Sequence, residues 1–185
     1  MQTPFLIGQR IYLRPLKPKD LNKNYLAWLN DPEVNEFLDS CRRPTAKYQL
    51  KKYYEQVMDS STDIMFAIIE KKSARHIGNV RLSKIDWIHR EANYGRMIGD
   101  KKAWGKGYGV EALRLIMDYA FNTLNLNRLY TPVIEGNIAS IKSNVRAGMQ
   151  REGRARQARF IKGKYLDIIH FAMTKDRYLK MKPKP

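Results

Sequence analysis

The stretch Gly99-Asp100-Lys101-Lys102-Ala103-Trp104-Gly105-Lys106-Gly107-Tyr108-Gly109 constrains this chain's fold more than any other. Behind it, Val110, Leu113, Met117, Ala120 and Leu124 recur at three- and four-residue steps, so a helix here carries one continuous apolar stripe that must pack on a sheet. The alternate glycines Gly105, Gly107 and Gly109 let the backbone turn tightly and point successive N–H groups outward at that helix's N-terminus. A turn of this kind is a cradle for phosphate. It is not a P-loop, because Asp100 stands where the first glycine is needed and Gly107 where a hydroxyl residue would hold magnesium. Nor is it a dinucleotide fingerprint, since the third glycine comes one residue early and no βαβ unit precedes it.

The first strand before the cradle alternates apolar and charged residues. Arg10–Leu16 reads as the first strand. Asp20 is placed to cap a helix bearing Leu21, Tyr25, Leu26 and Leu29, Asp31-Pro32 opens another, and Thr45 a third that runs to about Met58. Ile64–Ile69 and His76–Ser83 read as strands joined by the Lys71-Lys72-Ser73 turn, with a further strand at Ala92–Gly99. After the central helix come a strand at Leu129–Ile134, a helix at Ile138–Ala147 stopped by Gly148, and two strands closing through Lys162-Gly163. Pro132 cannot supply a ladder N–H, so one side of its strand is expected to be unpaired and the sheet to open there.

The 185 residues suit a single domain over residues 1–176 with a basic tail at 177–185. With no apolar run of membrane-spanning length and no signal peptide at the start, the expected location is cytoplasmic, without membrane contact. Cys41 is alone and His76, His89 and His170 are scattered, so neither a disulfide nor a metal site is expected. The 35 Lys+Arg against 18 Asp+Glu give +17, a field that gathers polyanions and disfavours polycations.

The string IGDKKAWGKGYGVEAL resembles the pyrophosphate loop Q/R-x-x-G-x-G/A of the GCN5-related N-acetyltransferase (GNAT) superfamily. Gly107 and Gly109 match its glycines, and Trp104 stands at the Gln/Arg position, as in its RimJ/RimL-type branch. The likeness extends over RIYLRPLKPKDL, Asn137-Ile138-Ala139-Ser140-Ile141, Arg146-Ala147-Gly148-Met149 and KGKYLD, almost the whole chain. It implies an α/β (α+β) fold with a mixed, mostly antiparallel seven-stranded sheet, flanked by helices and splayed between strands 4 and 5, here Tyr94–Gly99 and Leu129–Ile134. It also implies acetyl-CoA as co-substrate. Trp104 and the amides of Gly105, Lys106, Gly107, Tyr108, Gly109 and Val110 would bind its pyrophosphate, Met97 and Ile98 the pantetheine and thioester, and Asn137, Ser140 and Asn144 the opposite wall.

In such an enzyme a neutral amine attacks the thioester directly, so no covalent intermediate is needed and Cys41 is read as a packed residue. The amine's proton needs an acceptor. Asn144 stands where many GNAT enzymes have a tyrosine acid and Asn93 where RimJ/RimL-type members often carry glutamate, so neither can do that work. Glu135, then Glu91, are the nearest carboxylates, with Tyr94 and Ser140 assisting; Arg42, Arg43 and His89 are candidates for the acceptor side.

The expected acceptor is a small or nucleotide-linked amino sugar, with the N-terminus of a ribosomal protein as the alternative and polyamines ranked lower for the +17 charge. A rival reading is a regulatory module on the same fold that binds RNA through Arg151, Arg154, Arg156, Arg159, Lys162 and Lys164. The chain is expected to be a monomer or homodimer.

Overall fold

The computed structural model describes residues 3–39 and 43–181. In chain order the elements are β1 (Leu6–Ile7), β2 (Ile11–Pro15), α1 (Lys23–Asn30), α2 (Pro32–Asn35), α3 (Lys47–Met58), β3 (Ile64–Glu70), β4 (His76–Asp86) and β5 (Glu91–Ile98). There follow α4 (Tyr108–Asp118), β6 (Arg128–Ile134), α5 (Ile138–Arg146), β7 (Gln150–Ile161), β8 (Lys164–Thr174) and α6 (Lys175–Met181). The strands form one sheet in the order β1-β2-β3-β4-β5-β6-β8-β7, antiparallel except for β5 with β6. Eight strands stand where seven were expected, because β1 is only two residues long and too short to show an alternation.

Successive strand residues point to opposite faces, and the core divides accordingly. Phe66 and Ile68 of β3 and Ala92 and Tyr94 of β5 pack with Leu113, Ile116 and Met117 of α4 and Ile141 of α5. Met65, Ala67 and Ile69 face the other way, onto Tyr25 of α1 and Leu50 and Val57 of α3. The sheet is thus sandwiched between α1 and α3 on one face and α4 and α5 on the other. Helix α4 continues into a π-helical turn at Tyr119–Thr123.

The parallel ladder between β5 and β6 covers only Glu91–Arg128, Ala92–Leu129 and Asn93–Tyr130. Beyond it Gly95–Ile98 and Thr131–Ile134 separate, while Pro132 stays in register with His170 of β8. The opening falls on the β5 side of Pro132, where the missing N–H led us to expect it.

Two helix starts differ from expectation. Asn22, not Asp20, caps α1, its Oδ1 accepting from Asn24 N (2.9 Å) and Tyr25 N (3.2 Å). Asp20 instead lies buried against Arg14. Thr45 bonds to Asn30, and α3 starts after Ala46, whose N–H donates to Gln49 Oε1 at 2.7 Å. Residue 177, taken as the start of a basic tail, lies inside α6, where Tyr178 is buried and its hydroxyl donates to Asp118. Among the described residues no helix is long and apolar enough to cross a membrane.

Candidate active site

The glycine turn forms as its spacing requires. Gly105 (φ 73°) and Gly107 (φ 79°) occupy the left-handed region, and Gly107 is the residue at which α4 starts. The N–H groups of residues 105–109 make no hydrogen bond among the described residues, so they remain available at the positive end of the helix. Val110, expected among them, donates instead to Gly107 O at 3.1 Å, which tightens the first turn and takes its N–H out of the cradle. Trp104 closes the turn from behind: its indole N–H donates to Ile98 O at 2.7 Å, pinning the loop to the end of the splayed strand.

Side chains from the turn before β2 and from β3 and β5 hold the cradle. Arg10 donates to Lys106 O at 2.7 Å and pairs with Glu111 at 3.0 Å, its guanidinium 5.2 Å from the Tyr108 ring. The Tyr108 hydroxyl donates to Glu70 Oε1 at 2.6 Å, tying β3 to the first turn of α4. Arg96 of β5 donates to Gly109 O at 2.8 Å and to Ser143 Oγ of α5 at 2.9 Å, spanning the opened sheet.

Bonds from Ser73, Tyr108 and Arg75 outweigh the effect of burial and hold the Glu70 carboxyl down to about 2. A carboxylate depressed in the folded state stabilises it above the unfolded value of ~4.3, and that contribution is lost as pH falls through about 2. Glu70→Gln should therefore unfold more easily than wild type above pH ~4.5, with the difference vanishing towards pH 2 in denaturant titrations. A difference that does not vary with pH would contradict this.

On the α1–α3 face of β4 and β5 lies a cavity of about 620 Å³. Tyr25 and Leu29 of α1 and Leu50 and Tyr53 of α3 roof it; Asn79, Arg81 and Ser83 of β4 and Asn93, Gly95 and Met97 of β5 form its floor. Arg81 is tied to Asp63 (2.7 Å) and to the Tyr53 hydroxyl (3.0 Å). Ser83 Oγ donates to Asn93 Oδ1 at 3.4 Å. The β7–β8 hairpin reaches this rim through Arg159–Asp39 (2.8 Å) and Lys162–Glu36 (2.7 Å).

The expected site residues divide around this geometry. Asn93, Met97 and Arg43 line the cavity, whereas Arg42 lies outside the described residues. Tyr94, next to Asn93 on a strand, points to the opposite face, buried, with its phenol accepting from Arg96 and its pKa raised by burial. Glu135 is also displaced: its carboxylate is bonded by Arg154 at 2.9 Å on the β7–β8 side, and it does not line the cavity. Glu91 pairs with Arg128 (3.5 Å) at the closed end of the β5–β6 ladder. His89 is exposed in the turn before β5, away from the cavity, its N–H donating to Asp86.

Asn137 caps α5 by accepting from Ser140 N at 3.0 Å, and Ser140 is half-buried beside it. Asn144, 1% exposed on the same helix, has neither side-chain polar atom bonded. An unpaired buried amide costs about 1–3 kcal/mol, so this wall is built for a polar group that the protein itself does not supply. Together with the glycine cradle, Asn144 fits a cofactor carrying a diphosphate at one end and amide groups along its arm. Coenzyme A has that chemistry, and the thioester of its acetylated form supplies the activated acyl group. Asn79, Arg81, Ser83 and Arg96 did not figure among the expected site residues. The signal was the polar period of two, Asn79-Arg81-Ser83, alternating with the apolar Val80 and Leu82.

The acetyltransferase (GNAT) domain family profile matches residues 10–150. The chain is 31% identical to p20, an uncharacterized N-acetyltransferase of Bacillus licheniformis, over 94% of this chain and 97% of that protein. It is 28% identical to the spermidine N(1)-acetyltransferase of Vibrio cholerae over 94% and 98%. In fold it is similar to the crystal structure of spermidine N-acetyltransferase from Vibrio cholerae in complex with CoA and spermine, with a TM-score of 0.83 at 24% identity, covering 92% of this chain and 98% of that one. The chain thus belongs to the GNAT family and is an N-acetyltransferase whose co-substrate is acetyl-CoA.

Proposed function

We propose that the enzyme acetylates a primary amine on an anionic or oxygen-rich small molecule, a nucleotide-linked amino sugar being the type that suits it best. The charge of the cavity lining carries this reading. Arg43 and Arg81 line it, Arg81 bridged to Asp63 at 2.7 Å, and among the described lining residues Asp39 is the one carboxylate, already paired with Arg159. Such a lining attracts phosphate and carboxylate and repels a polycation, in keeping with the +17 of the whole chain. Trp104 and the late Asn137–Met149 segment support a place in the RimJ/RimL-type branch. The amine attacks the thioester directly, and its proton leaves through water held at Ser83 and Asn93.

A polyamine acceptor is the second reading, favoured by the full-length similarity to the Vibrio enzyme. Thiol release from acetyl-CoA, measured with a nucleotide-linked amino sugar, an N-terminal peptide and spermidine, separates the readings. The amino sugar should exceed spermidine in kcat/KM by at least about tenfold, and Arg43→Ala should raise its KM with little change in acetyl-CoA affinity. Spermidine as the best of the three would overturn the proposal.

A further inference from the structure

Among the groups lining the acceptor cavity, Asn79 is set apart by what it lacks. Its side chain is 3% exposed, and its amide nitrogen Nδ2 has no hydrogen-bond partner in the protein. The other end of that amide is held: Oδ1 lies 2.9 Å from His76 Nε2, which also lies 2.9 Å from Gly78 O. A carbonyl oxygen only accepts, so Nε2 must carry the proton, and the Asn79 atom facing it must then be the oxygen. The imidazole cannot turn easily, being wedged edge-on against Trp28 (5.1 Å between centroids) and Tyr25 (6.0 Å). Burial keeps it neutral by pushing its pKa down. The His76 bond therefore fixes which end of the Asn79 amide is left over, and that end is a pure donor.

The position of this donor matters. Asn79 is the cross-strand partner of Met97, in the part of β5 that has separated from β6, and both side chains face the acceptor cavity. An attacking amine must keep its lone pair for the thioester, so it cannot satisfy the Asn79 N–H groups. A methylene beside the amine cannot either.

Resting on the acceptor reading above, we propose that Asn79 is a specificity residue. Its amide, aimed by His76, donates to an oxygen carried on the carbon next to the one bearing the amine. An amine lacking that oxygen leaves a buried donor unpaired in the productive complex, which costs about 1–3 kcal/mol, or roughly 5- to 150-fold in kcat/KM. A vicinal hydroxyl, as on an amino sugar, and the carbonyl of a peptide N-terminus both present this chemistry; a simple alkylamine does not.

Two matched pairs of probes test the inference and distinguish the two sources of oxygen. They are trans-2-aminocyclohexanol against cyclohexylamine, and alaninamide against sec-butylamine, each compared as kcat/KM corrected for the fraction of neutral amine. In the wild type at least one oxygen-bearing member should exceed its partner by about tenfold or more, and the pair that shows it identifies the hydroxyl or the carbonyl. In Asn79→Leu that ratio should fall to within about threefold, with acetyl-CoA affinity by calorimetry retained as the sign of an intact fold. Asn79→Asp, nearly isosteric but without the donor, should do the same should the leucine variant fail to fold.

A wild-type ratio near one in both pairs overturns the inference without any variant. So does a ratio that survives in either folded variant. If the amino sugar still outperforms spermidine in those cases, the anionic-acceptor reading stands and only the role of Asn79 falls; a preference for spermidine removes both.

Discussion

Gly107→Val should weaken acetyl-CoA binding about 100-fold while the protein stays folded. Gly107 begins α4 at φ 79°, where a Cβ costs about 1–2 kcal/mol, and the added carbon would come 3.3 Å from Arg10 Nη2. The backbone relieves that strain by rotating, which turns the N–H groups at positions 107 and 108 away from the diphosphate. Hydrogen bonds to a charged group contribute about 1.5–3 kcal/mol each, so losing the equivalent of about 2.8 kcal/mol reduces affinity 100-fold. A stability loss of about 1–2 kcal/mol leaves most of the ~5–15 kcal/mol of an ordinary domain. Gly105→Ala is the comparison, since it has a similar φ of 73° but nothing within 4 Å of its added Cβ; its effect should be about tenfold. Calorimetric titration with acetyl-CoA, alongside a thermal melt, gives both numbers. Binding by Gly107→Val within threefold of wild type would refute the role assigned to the cradle.

That cradle was legible in the sequence because two unrelated signals met in it: glycines at alternate positions and an apolar stripe of helical period directly behind them. The opening of the sheet was legible for a similar reason, since Pro132 removes a donor wherever it sits. Side-chain partnerships were not. Asp20 before an amphipathic segment looks the same in sequence whether it caps a helix or neutralises an arginine six residues earlier, and only the packing of β2 under α1 decides. Glu135 follows the right strand for a catalytic base, but β8 inserts between β6 and β7 and brings Arg154 onto its carboxylate. Asn93 and Tyr94 could never both face the acceptor, because neighbours on a strand point apart, and that much was readable in advance. The same rule, applied to Asn79-Arg81-Ser83, marks the cavity floor.

Asp20→Ala should cost about 3–5 kcal/mol of folding free energy, a larger loss of stability than a side chain at Gly107 would bring. Arg14 and Asp20 are 1% and 4% exposed and meet through two bonds, Nη1–Oδ2 at 2.6 Å and Nη2–Oδ1 at 2.7 Å. Oδ2 also accepts from Lys17 N at 2.8 Å, which shapes the turn from β2 into α1. Removing the carboxylate strands a guanidinium in the interior, whose desolvation is then no longer compensated. Burial pushes the Asp20 pKa up, but the bond from Arg14, the Lys17 N–H and the charge of Arg14 outweigh it, so the carboxyl sits below its usual value. Its contribution is therefore complete above pH ~4 and is lost as pH falls below that, so wild type and Asp20→Ala should converge in strong acid. Exchanging both partners, as Arg14→Met with Asp20→Leu, should recover most of the loss at neutral pH, because neither charge is then buried. Urea titrations of the three proteins decide the matter. A single variant within about 1 kcal/mol of wild type would mean that the pair is balanced elsewhere, and a double variant as weak as the single would mean that the shape of the turn, rather than its charge, is what the pair maintains. Either way α1 carries the consequence to the candidate site, since Tyr25 and Leu29 roof its cavity and Tyr25 and Trp28 hold the ring of His76 in place.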